Sequence, residues 1–315
     1  MVDLSVNVGG VELANPVMPA SGSFSAEFAN VIDVNCLGAL VAKTVSRNFR
    51  AGNPTPRAAE VEGGMINSIG LPTKGLKYFL DVQIPEYKQF TPPLIASISA
   101  EDADDFQAMA RDVNVPGVDA IEINISCPTR KPGGGNFALQ AEHTHDIVRR
   151  VRSETDKPVW AKLSPNAGEI VDVALAAEDA GADALTVANT ILAMKIHVDS
   201  FRPALGNKIG GISGPAVKPI ILRMVYQIAK AVTIPVIGCG GISNAEDAIE
   251  YMLAGASAVE IGYINFRNPT AMISIINELE QWCDKRGIKR IADLTGAVRD
   301  GDMETDTYAA AASGL

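Results

Sequence analysis

The sequence predicts a closed parallel barrel, a (β/α)8 or TIM barrel with an N-terminal β-hairpin cap. Short apolar runs rich in β-branched residues alternate along the chain with longer stretches of helical period. Three of these runs follow near-identical turns, "PGVDAIEI", "AGADALTV" and "AGASAVEI", in which a glycine ends the preceding helix. The glycine fingerprint of an open doubly wound sheet does not follow the first run, so closure into a barrel is favoured.

Eight of the apolar runs are the predicted barrel strands. In chain order they cover residues 15–21, 37–43, 93–99, 120–126, 159–164, 184–189, 235–241 and 258–262. Ahead of them, "LSVNV" and "VELANP" read as two alternating strands on either side of Gly9 and Gly10. Two glycines suit a two-residue hairpin turn, which needs positive φ angles. The chain therefore begins with a hairpin that covers the bottom of the barrel.

Composition favours one globular domain over residues 1–315. Hydrophobic residues make up 47% of the 315 positions, enough to bury one large core. The 27 basic residues are outnumbered by 37 acidic ones, and the net charge of −10 provides no basic footprint for nucleic acid. The first ten residues lack a basic segment followed by an apolar one, and no apolar run of about 18 residues occurs. We therefore expect a cytoplasmic protein that binds neither nucleic acid nor membrane.

The cysteines and histidines predict no metal site. The four cysteines, at positions 36, 127, 239 and 283, lie far apart without a C-x-x-C spacing, and disulfides are not expected in a reducing compartment. The three histidines lack the i, i+4 spacing of paired metal ligands on a helix. We expect Cys36, Cys239 and Cys283 to be inert.

Polar residues at the carboxyl ends of barrel strands are the candidates for chemistry, because the loops after the strands build barrel active sites. Lys43 in "LVAKT" and Lys162 in "VWAKLS" each end an otherwise apolar strand. A buried ammonium group without an anion is costly, so the two lysines together indicate an anionic or electron-rich ligand.

Two glycine-rich segments indicate what that ligand is. In "VIGCGGISNAEDA" a strand ends on Gly240 and Gly241, and Ser243 with Glu246 is predicted to form a capping box that starts the next helix. Together with "EIGYINF" one unit later, this matches the phosphate cup that barrels build after strands seven and eight. A second stretch, "IGGISGPAVKP", reads as a loop that allows backbone to approach a flat ligand. The sequence therefore predicts a flat ligand with a phosphate tail.

At this point the motifs carry a family resemblance. The stretches "NPVMPASGSF", "NPTPRAAE", "MINSIGLPTKGL", "NISCPTRKPGG", "LGNKIGGISGPAVKP" and "CGGISNAEDAIEYMLAGASAVEIG" resemble, in unbroken order, the soluble cysteine-dependent dihydroorotate dehydrogenases, most closely the NAD-linked branch. The resemblance implies FMN across the barrel mouth and oxidation of dihydroorotate to orotate in pyrimidine synthesis. It also implies a homodimer and a partner subunit that carries FAD and an iron–sulfur centre, because no cluster ligation is present in this chain.

The resemblance also implies site residues, position by position. Catalysis falls to Lys162 and to Cys127 in "INISCPTRKPGGG", with Cys127 as the general base that removes the proton from carbon 5. The substrate contacts are Lys43, Asn67, Gly70, Leu71, Asn124, Asn189 and Thr190. The flavin contacts are Ser21, Gly22, Lys43, Thr44, Asn124, Lys162, Val187, Gly214, Gly240, Gly241, Gly262 and Tyr263.

The chain departs from the family pattern at three places. Thr44 with Val45 stands where the family has Gly-Thr, Ser97 where it has asparagine, and Tyr263 where it has a small hydroxyl residue. Two alternatives remain open: a related flavoenzyme for another dihydropyrimidine or a cyclic enone, and a flavin-free lyase, isomerase or binding protein for a sugar phosphate. A flavin-free enzyme would normally need an acid/base pair of carboxylates, and strand alternation is expected to turn Glu122 and Glu260 outward.

Overall fold

The computed structural model describes residues 2–126 and 137–299. Its strands, in chain order, are β1 (Val6–Val8), β2 (Val11–Leu13), β3 (Val17–Pro19), β4 (Leu40–Val41), β5 (Ala58–Val61), β6 (Gly64–Asn67), β7 (Leu94–Ile98), β8 (Ala120–Asn124), β9 (Val159–Lys162), β10 (Ala184–Val187), β11 (Ile191–Met194), β12 (Ile196–His197), β13 (Arg202–Pro203), β14 (Ile209–Ser213), β15 (Val236–Gly238) and β16 (Ala256–Ile261).

Its α-helices are α1 (Leu76–Tyr78), α2 (Ile84–Tyr87), α3 (Ala103–Val113), α4 (Ala141–Arg152), α5 (Ile170–Asp179), α6 (Lys218–Ala229), α7 (Ala245–Leu253) and α8 (Ala271–Lys285). A π-helical turn, Phe79–Gln83, joins α1 to α2. Short 3-10 helices cover Ala26–Asn30, Val34–Cys36, Phe137–Leu139, Pro215–Val217, Tyr263–Phe266 and Ile291–Leu294. Among the helices so described, none is long and apolar enough to cross a membrane.

The predicted (β/α)8 barrel is confirmed. Within the described residues, eight strands pair in the order β3-β16-β15-β10-β9-β8-β7-β4, and every pairing in this sheet is parallel. The seam between the two end strands is bridged just before β4, where the Gly38 N–H donates to the Val17 carbonyl at 2.8 Å. A Cβ atom at Gly38 would lie 2.1 Å from the carbonyl oxygen of Asn15, so only glycine allows this approach.

The N-terminal hairpin is also confirmed. Strands β1 and β2 pair antiparallel around Gly9 and Gly10, whose φ angles are +55° and +89°. Two successive residues with positive φ are what a two-residue turn of type I′ requires. A side chain at Gly9 would collide with the carbonyl of Asp183, because its Cβ atom would lie 2.4 Å from that oxygen. The glycine thus fixes both the turn and its contact with the barrel.

The helices outside the barrel cover one face of each strand and the barrel interior covers the other. In β8, Ile121 and Ile123 join the apolar core, whereas Glu122 and Asn124 are equally buried and contact side chains of other barrel strands. A parallel strand that is buried on both faces therefore places polar residues inside the barrel. The expectation that Glu122 and Glu260 turn outward is wrong, because alternation separates the two faces without telling which one faces solvent.

A second sheet lies over the barrel mouth and differs from the sequence prediction. Strands β11, β14, β6 and β5 pair antiparallel in that order, and we call this sheet the lid. The glycine-dense stretch from residue 209, predicted to be a loop, thus begins with strand β14. Its glycines serve packing within the protein, since a Cβ atom at Gly211 would lie 1.8 Å from the Thr190 hydroxyl oxygen.

Candidate active site

A cavity of about 380 Å³ opens between the carboxyl ends of the barrel strands and the lid. Its size is within the range of pockets that enclose a cofactor-sized ligand. The predicted site residues that line it are Ser21, Gly22, Lys43, Thr44, Asn67, Gly70, Leu71, Asn124, Lys162, Asn189, Thr190, Gly240, Gly241, Gly262 and Tyr263. Residues that are up to 242 positions apart in the chain are therefore brought to one surface, and their roles remain to be tested.

Three predicted residues are not placed on that surface. Val187 is fully buried in β10, and the following Ala188 lines the cavity instead. Gly214 packs behind the wall, where a Cβ atom would lie 2.6 Å from the Cα atom of Gly64. Cys127, the predicted general base, lies outside the described residues.

The floor of the cavity is a buried charge cluster built by the barrel strands. The Lys162 ammonium lies 2.6 Å from Glu260 Oε2 and 3.5 Å from Glu122 Oε2, and both carboxylate side chains are fully buried. The hydroxyl of Ser97 donates to Glu122 at 2.8 Å, and the Thr186 hydroxyl lies within 3.4 Å of both carboxylates. Lys162 is therefore held by two carboxylates of the protein itself, and it does not reach solvent in the way a surface lysine would.

The cluster shifts the pKa values of its members. Burial lowers the pKa of Lys162, but the charges of Glu122 and Glu260 outweigh that effect and raise it overall, so the ammonium stays protonated. Burial, followed by the charge of Glu122, raises the pKa of Glu260 and Lys162 opposes the rise, with a net value of about 8. Burial also raises the pKa of the Cys239 thiol, which keeps that side chain neutral at the edge of the cluster.

A chain of hydroxyl groups connects the cluster to the cavity. Thr44 Oγ1 lies 2.9 Å from Ser97 Oγ and 2.8 Å from Ser21 Oγ, and it accepts a hydrogen bond of 3.0 Å from the Asn124 amide. Thr44 and Ser97 are two of the positions at which the sequence departs from the family pattern. Because the Thr44 and Ser97 hydroxyls contact each other directly, the two departures belong to one local change. In this chain a pair of hydroxyl groups stands where the family pattern has a glycine and an asparagine.

The glycine-rich end of the cavity has the geometry of an anion site. Gly240 and Gly241 line the cavity, and among the described residues no protein group accepts a hydrogen bond from their N–H groups. Helix α7 begins directly afterwards, with Asn244 as its N-cap accepting from the Asp247 N–H. The predicted capping box of Ser243 and Glu246 is therefore wrong by one residue, because the asparagine side chain takes the capping position and Ser243 donates its N–H to Asp247.

These features fit the predicted ligand, a flat ring with a phosphate tail. At Gly262 a Cβ atom would meet only Ala20, at 3.5 Å, so this glycine leaves open space at the cavity wall. Unpaired backbone N–H groups before a helix suit a phosphate, and the buried ammonium of Lys162 suits the electron-rich ring of a flavin. Tyr263, which follows Gly262, accepts a hydrogen bond of 3.2 Å from Arg267. The Tyr263 hydroxyl is thus bound to a side chain of the protein, Arg267.

The lid side of the cavity is built from strained or closely packed backbone. Leu71 has a φ of +51°, which is uncommon for a residue with a side chain, and it follows Gly70 at +80°. A Cβ atom at Gly70 would lie within 2.6 Å of Asn53. The Asn67 amide reaches the Gly211 carbonyl at 3.4 Å, which ties the two lid strands together at the cavity.

An asparagine pair links the lid side to the barrel. The Asn189 amide donates to Ser126 Oγ at 3.0 Å and lies 3.4 Å from Asn124 Oδ1, while its own oxygen accepts from the Thr190 N–H. Ser126 directly precedes Cys127 in the chain. The predicted substrate residues Asn124, Asn189 and Thr190 thus form one connected group next to the point where the described chain stops.

Sequence reasoning missed several residues of the site. Glu122 and Glu260 were set aside as outward-facing, and Cys239 was expected to be inert although it lines the cavity. The strand alternation that placed Asn124 inside could have placed Glu122 there as well, two residues earlier. The apolar lid wall, formed by Met65, Ile69 and Ile212, had no signal because short strands inside loops leave no periodic pattern.

Comparisons with known proteins show which family the chain resembles. A family model described as dihydroorotate dehydrogenase matches residues 3–282. The protein of Malacoplasma penetrans named dihydroorotate dehydrogenase B (NAD(+)), catalytic subunit, is 43% identical over 296 residues, which are 93% of this chain and 97% of that protein. Proteins of the same name from Bacillus cereus (strain AH187) and Bacillus anthracis (strain A0248) are each 44% identical over 296 residues, 93% of this chain and 96% of those proteins.

Proposed function

The chain belongs to the dihydroorotate dehydrogenase family, and from that membership we propose that it oxidises dihydroorotate to orotate, a step of pyrimidine synthesis, with FMN as its cofactor. The observation that carries the proposal is the cavity itself. At the carboxyl ends of the barrel strands it joins a buried ammonium, unpaired glycine N–H groups and the amide side chains of Asn67, Asn124 and Asn189.

The barrel side of the cavity would hold the cofactor. The N–H groups of Gly240 and Gly241 would bind its phosphate, and Lys162 with Asn124 and Thr44 would contact its ring. When bound, FMN supplies a hydride acceptor at N5 for the hydrogen on carbon 6 of dihydroorotate. Because Lys162 is fixed by two buried carboxylates, its ammonium would be positioned before the cofactor binds.

The lid side would hold the substrate. Lys43 would neutralise the carboxylate of dihydroorotate, and Asn67, Asn189 and Thr190 with the backbone at Gly70 and Leu71 would bind its ring. Cys127 would remove the proton from carbon 5 as the general base. An unperturbed thiol has a pKa near 8.5, so a modest stabilisation of the thiolate is enough for this role at neutral pH.

The electrons would leave through another protein. The relatives named above are catalytic subunits of NAD(+)-linked enzymes, which implies a further subunit in those assemblies. We propose that this chain likewise forms a homodimer and passes electrons to NAD+ through a partner that carries FAD and an iron–sulfur centre. Among the described residues, no group of three or more metal-ligating side chains offers such a centre in this chain.

The flavin-free alternative is disfavoured by one specific observation. An acid/base pair for a lyase or isomerase has to reach the substrate, but Glu122 and Glu260 are fully buried and are not among the described residues that line the cavity. They contact Lys162 instead, and it is Lys162 that faces the cavity. The second alternative is a different dihydropyrimidine as substrate. It is distinguished by Lys43, whose positive charge would favour a substrate that carries a carboxylate.

The proposal is tested by the flavin content of the purified protein. We expect a yellow protein that releases about one FMN per chain on denaturation, since the barrel provides one phosphate cup per chain. The variant Lys162→Met should bind FMN more weakly, whereas Lys285→Met at the exposed end of α8 should not change binding. A colourless protein that also fails to take up added FMN would contradict the proposal and favour the flavin-free alternative.

A further inference from the structure

The charges in the floor of the cavity do not balance. Two carboxylates, Glu122 and Glu260, are 0% and 1% exposed, and the cation between them is the single ammonium of Lys162. If all three groups were ionised, the floor would carry one uncompensated negative charge in a fully buried place. Burying such a charge is strongly unfavourable, and proteins avoid it by protonating one of the acids.

The hydrogen bonds of the cluster point in the same direction. Ionised carboxylates only accept hydrogen bonds. Among the described residues, the donors to Glu122 and Glu260 are the Lys162 ammonium, the hydroxyls of Ser97 and Thr186, and the Cys239 thiol, which is a weak donor. The Thr186 hydroxyl has one hydrogen, so it can donate to only one of the two carboxylates that it contacts. A proton on one acid would provide the missing donor, and the two carboxyl groups are close enough to hydrogen-bond each other.

Of the ionisable groups in the floor, Glu260 is the one whose pKa lies close to neutrality. The pair is faced by Lys162 from β9 and by Cys239, which directly follows β15. The Tyr251 phenol on α7 donates to the carbonyl of Gly240, the residue after that thiol, at 2.6 Å. The thiol and the phenol stay neutral because burial raises both pKa values, and the ammonium stays protonated because of the two carboxylates. Ser97 and Thr186 complete the shell with hydroxyl groups that do not titrate.

We propose that Glu122 and Glu260 share one proton at neutral pH and release it in mildly alkaline solution, so that the floor beneath Lys162 changes from neutral to negatively charged. Burial and the neighbouring charge of Glu122 raise the pKa of Glu260, so the proton is lost only in mildly alkaline solution. The pair is a positioning device for Lys162, because its protonation state decides how much of the ammonium's positive charge reaches the cavity. Its consequence for the cofactor rests on the proposed function, whereas the shared proton itself does not.

The shared proton is tested directly by infrared spectroscopy of the protein as purified, labelled with 13C in its glutamate side chains. We expect a C=O band of a protonated carboxyl group at pH 6.5 that disappears with a midpoint near pH 8, the value to which burial raises the pKa of Glu260. The band should be absent at pH 6.5 in Glu260→Gln, and it should remain in Glu280→Gln, the same change at an exposed position of α8. An unmodified protein without such a band at pH 6.5 would overturn the inference, and that experiment needs no variant to fold.

A second experiment measures how the charge of the floor affects the reduction potential of the bound flavin. Glutamine keeps the floor neutral at every pH, so Glu260→Gln and the unmodified protein should have the same flavin reduction potential at pH 6.5. At pH 9.5 the flavin of the unmodified protein should be harder to reduce than the flavin of Glu260→Gln at the same pH. The expected difference is a factor of about ten in the equilibrium constant, which corresponds to about 30 mV for a two-electron couple. Equal potentials at both pH values would overturn the inferred effect on Lys162. If the protein bound no flavin, the proposed function would fail while the infrared experiment would still decide on the shared proton.

Discussion

The floor and the lid of the cavity are built in different ways. The floor uses fully buried side chains that project from barrel strands. A hydrogen bond joins Lys162 to Glu260, an ion pair joins Lys162 to Glu122, and hydroxyl groups continue the connection from Glu122 to Ser97 and Thr44. The lid uses short antiparallel strands and loops, with backbone at positive φ and glycines in close contact. The floor thus positions charge through packed side chains, and the lid positions backbone groups.

The difference suggests a division of work. Groups on rigid strands are suited to hold a cofactor whose chemistry is the same in every cycle, whereas loops and small sheets are suited to bind and release a substrate. In this account, changes in the floor alter the cofactor and its potential. Changes in the lid, and at Cys127 beyond Ser126, alter substrate oxidation while leaving the cofactor bound.

The variant Cys127→Ala is expected to show the largest difference between its effect on flavin binding and its effect on substrate oxidation. Flavin should stay bound, because the floor is untouched, but anaerobic flavin reduction by dihydroorotate should slow by about 100-fold or more through loss of the proposed general base. Stopped-flow absorbance measures this rate. The matched control is Cys36→Ala, which removes an exposed thiol at a distance from the cavity. A variant at position 127 that reduces flavin at the unmodified rate would require another base.

A change confined to the lid should have the next largest effect. In Gly211→Ala the new Cβ atom would lie 1.8 Å from the Thr190 hydroxyl oxygen, so β14 or the cavity-lining Thr190 has to shift. Small displacements of substrate-positioning groups are costly, and we expect kcat/KM for dihydroorotate to fall by about 30-fold with unchanged FMN content. Gly168→Ala, where a Cβ atom meets nothing within 4 Å, is the control. Loss of FMN in Gly211→Ala would show that the lid holds the cofactor as well.

Lys43 extends the comparison because it follows barrel strand β4, lines the cavity and is proposed to bind the substrate. Charge-assisted hydrogen bonds to the substrate carboxylate contribute about 1.5–3 kcal/mol each. The bond from Lys43 together with those from the backbone N–H groups at Gly70 and Leu71 should therefore let dihydroorotate reduce the flavin at least about 100-fold more efficiently than dihydrouracil. Lys43→Ala should reduce this preference about tenfold. Flavin reduction rates with both compounds provide the measurement. Equal rates with the unmodified protein would move the assignment to another dihydropyrimidine.

The smallest expected effect concerns stability and pH. The pKa of Glu260 is raised in the folded protein to about 8 from an ordinary value near 4.5, so the folded state binds an extra proton between these values. Its stabilising contribution is complete below about pH 4.5 and is lost as the pH rises through about 8. Urea unfolding should show a loss of less than about 1 kcal/mol per pH unit from this group. Glu260→Gln should flatten that slope, and an unchanged slope would contradict the raised pKa.

The sequence predicts the floor better than the lid, for physical reasons. Barrel strands are apolar runs of regular spacing, so their carboxyl ends, with Lys43, Asn124 and Lys162, could be found directly. The prediction that Glu122 and Glu260 point outward was wrong. Strands that are buried on both faces have no polar, solvent-exposed face, so alternation alone does not show which residues point into the barrel. The contact between Thr44 and Ser97 joins two strands and has no local signal at all.

The lid escaped prediction for the opposite reason. Its strands are short and embedded in glycine-rich or proline-rich segments, where loop signals outweigh strand propensity. In β14, Gly210 and Gly211 look like flexible backbone, yet the first is packed against Asn67 and the second against Thr190. These requirements come from the neighbouring strand and not from the residues themselves.

An anaerobic absorbance titration of the purified protein with dihydroorotate decides whether the cavity performs the proposed oxidation. We predict that the yellow flavin band is bleached by about one equivalent of dihydroorotate per bound FMN, and that dihydrouracil at the same concentration leaves it unchanged over the same time. A flavin band that persists with excess dihydroorotate, in a protein that a chemical reductant bleaches normally, would contradict the account.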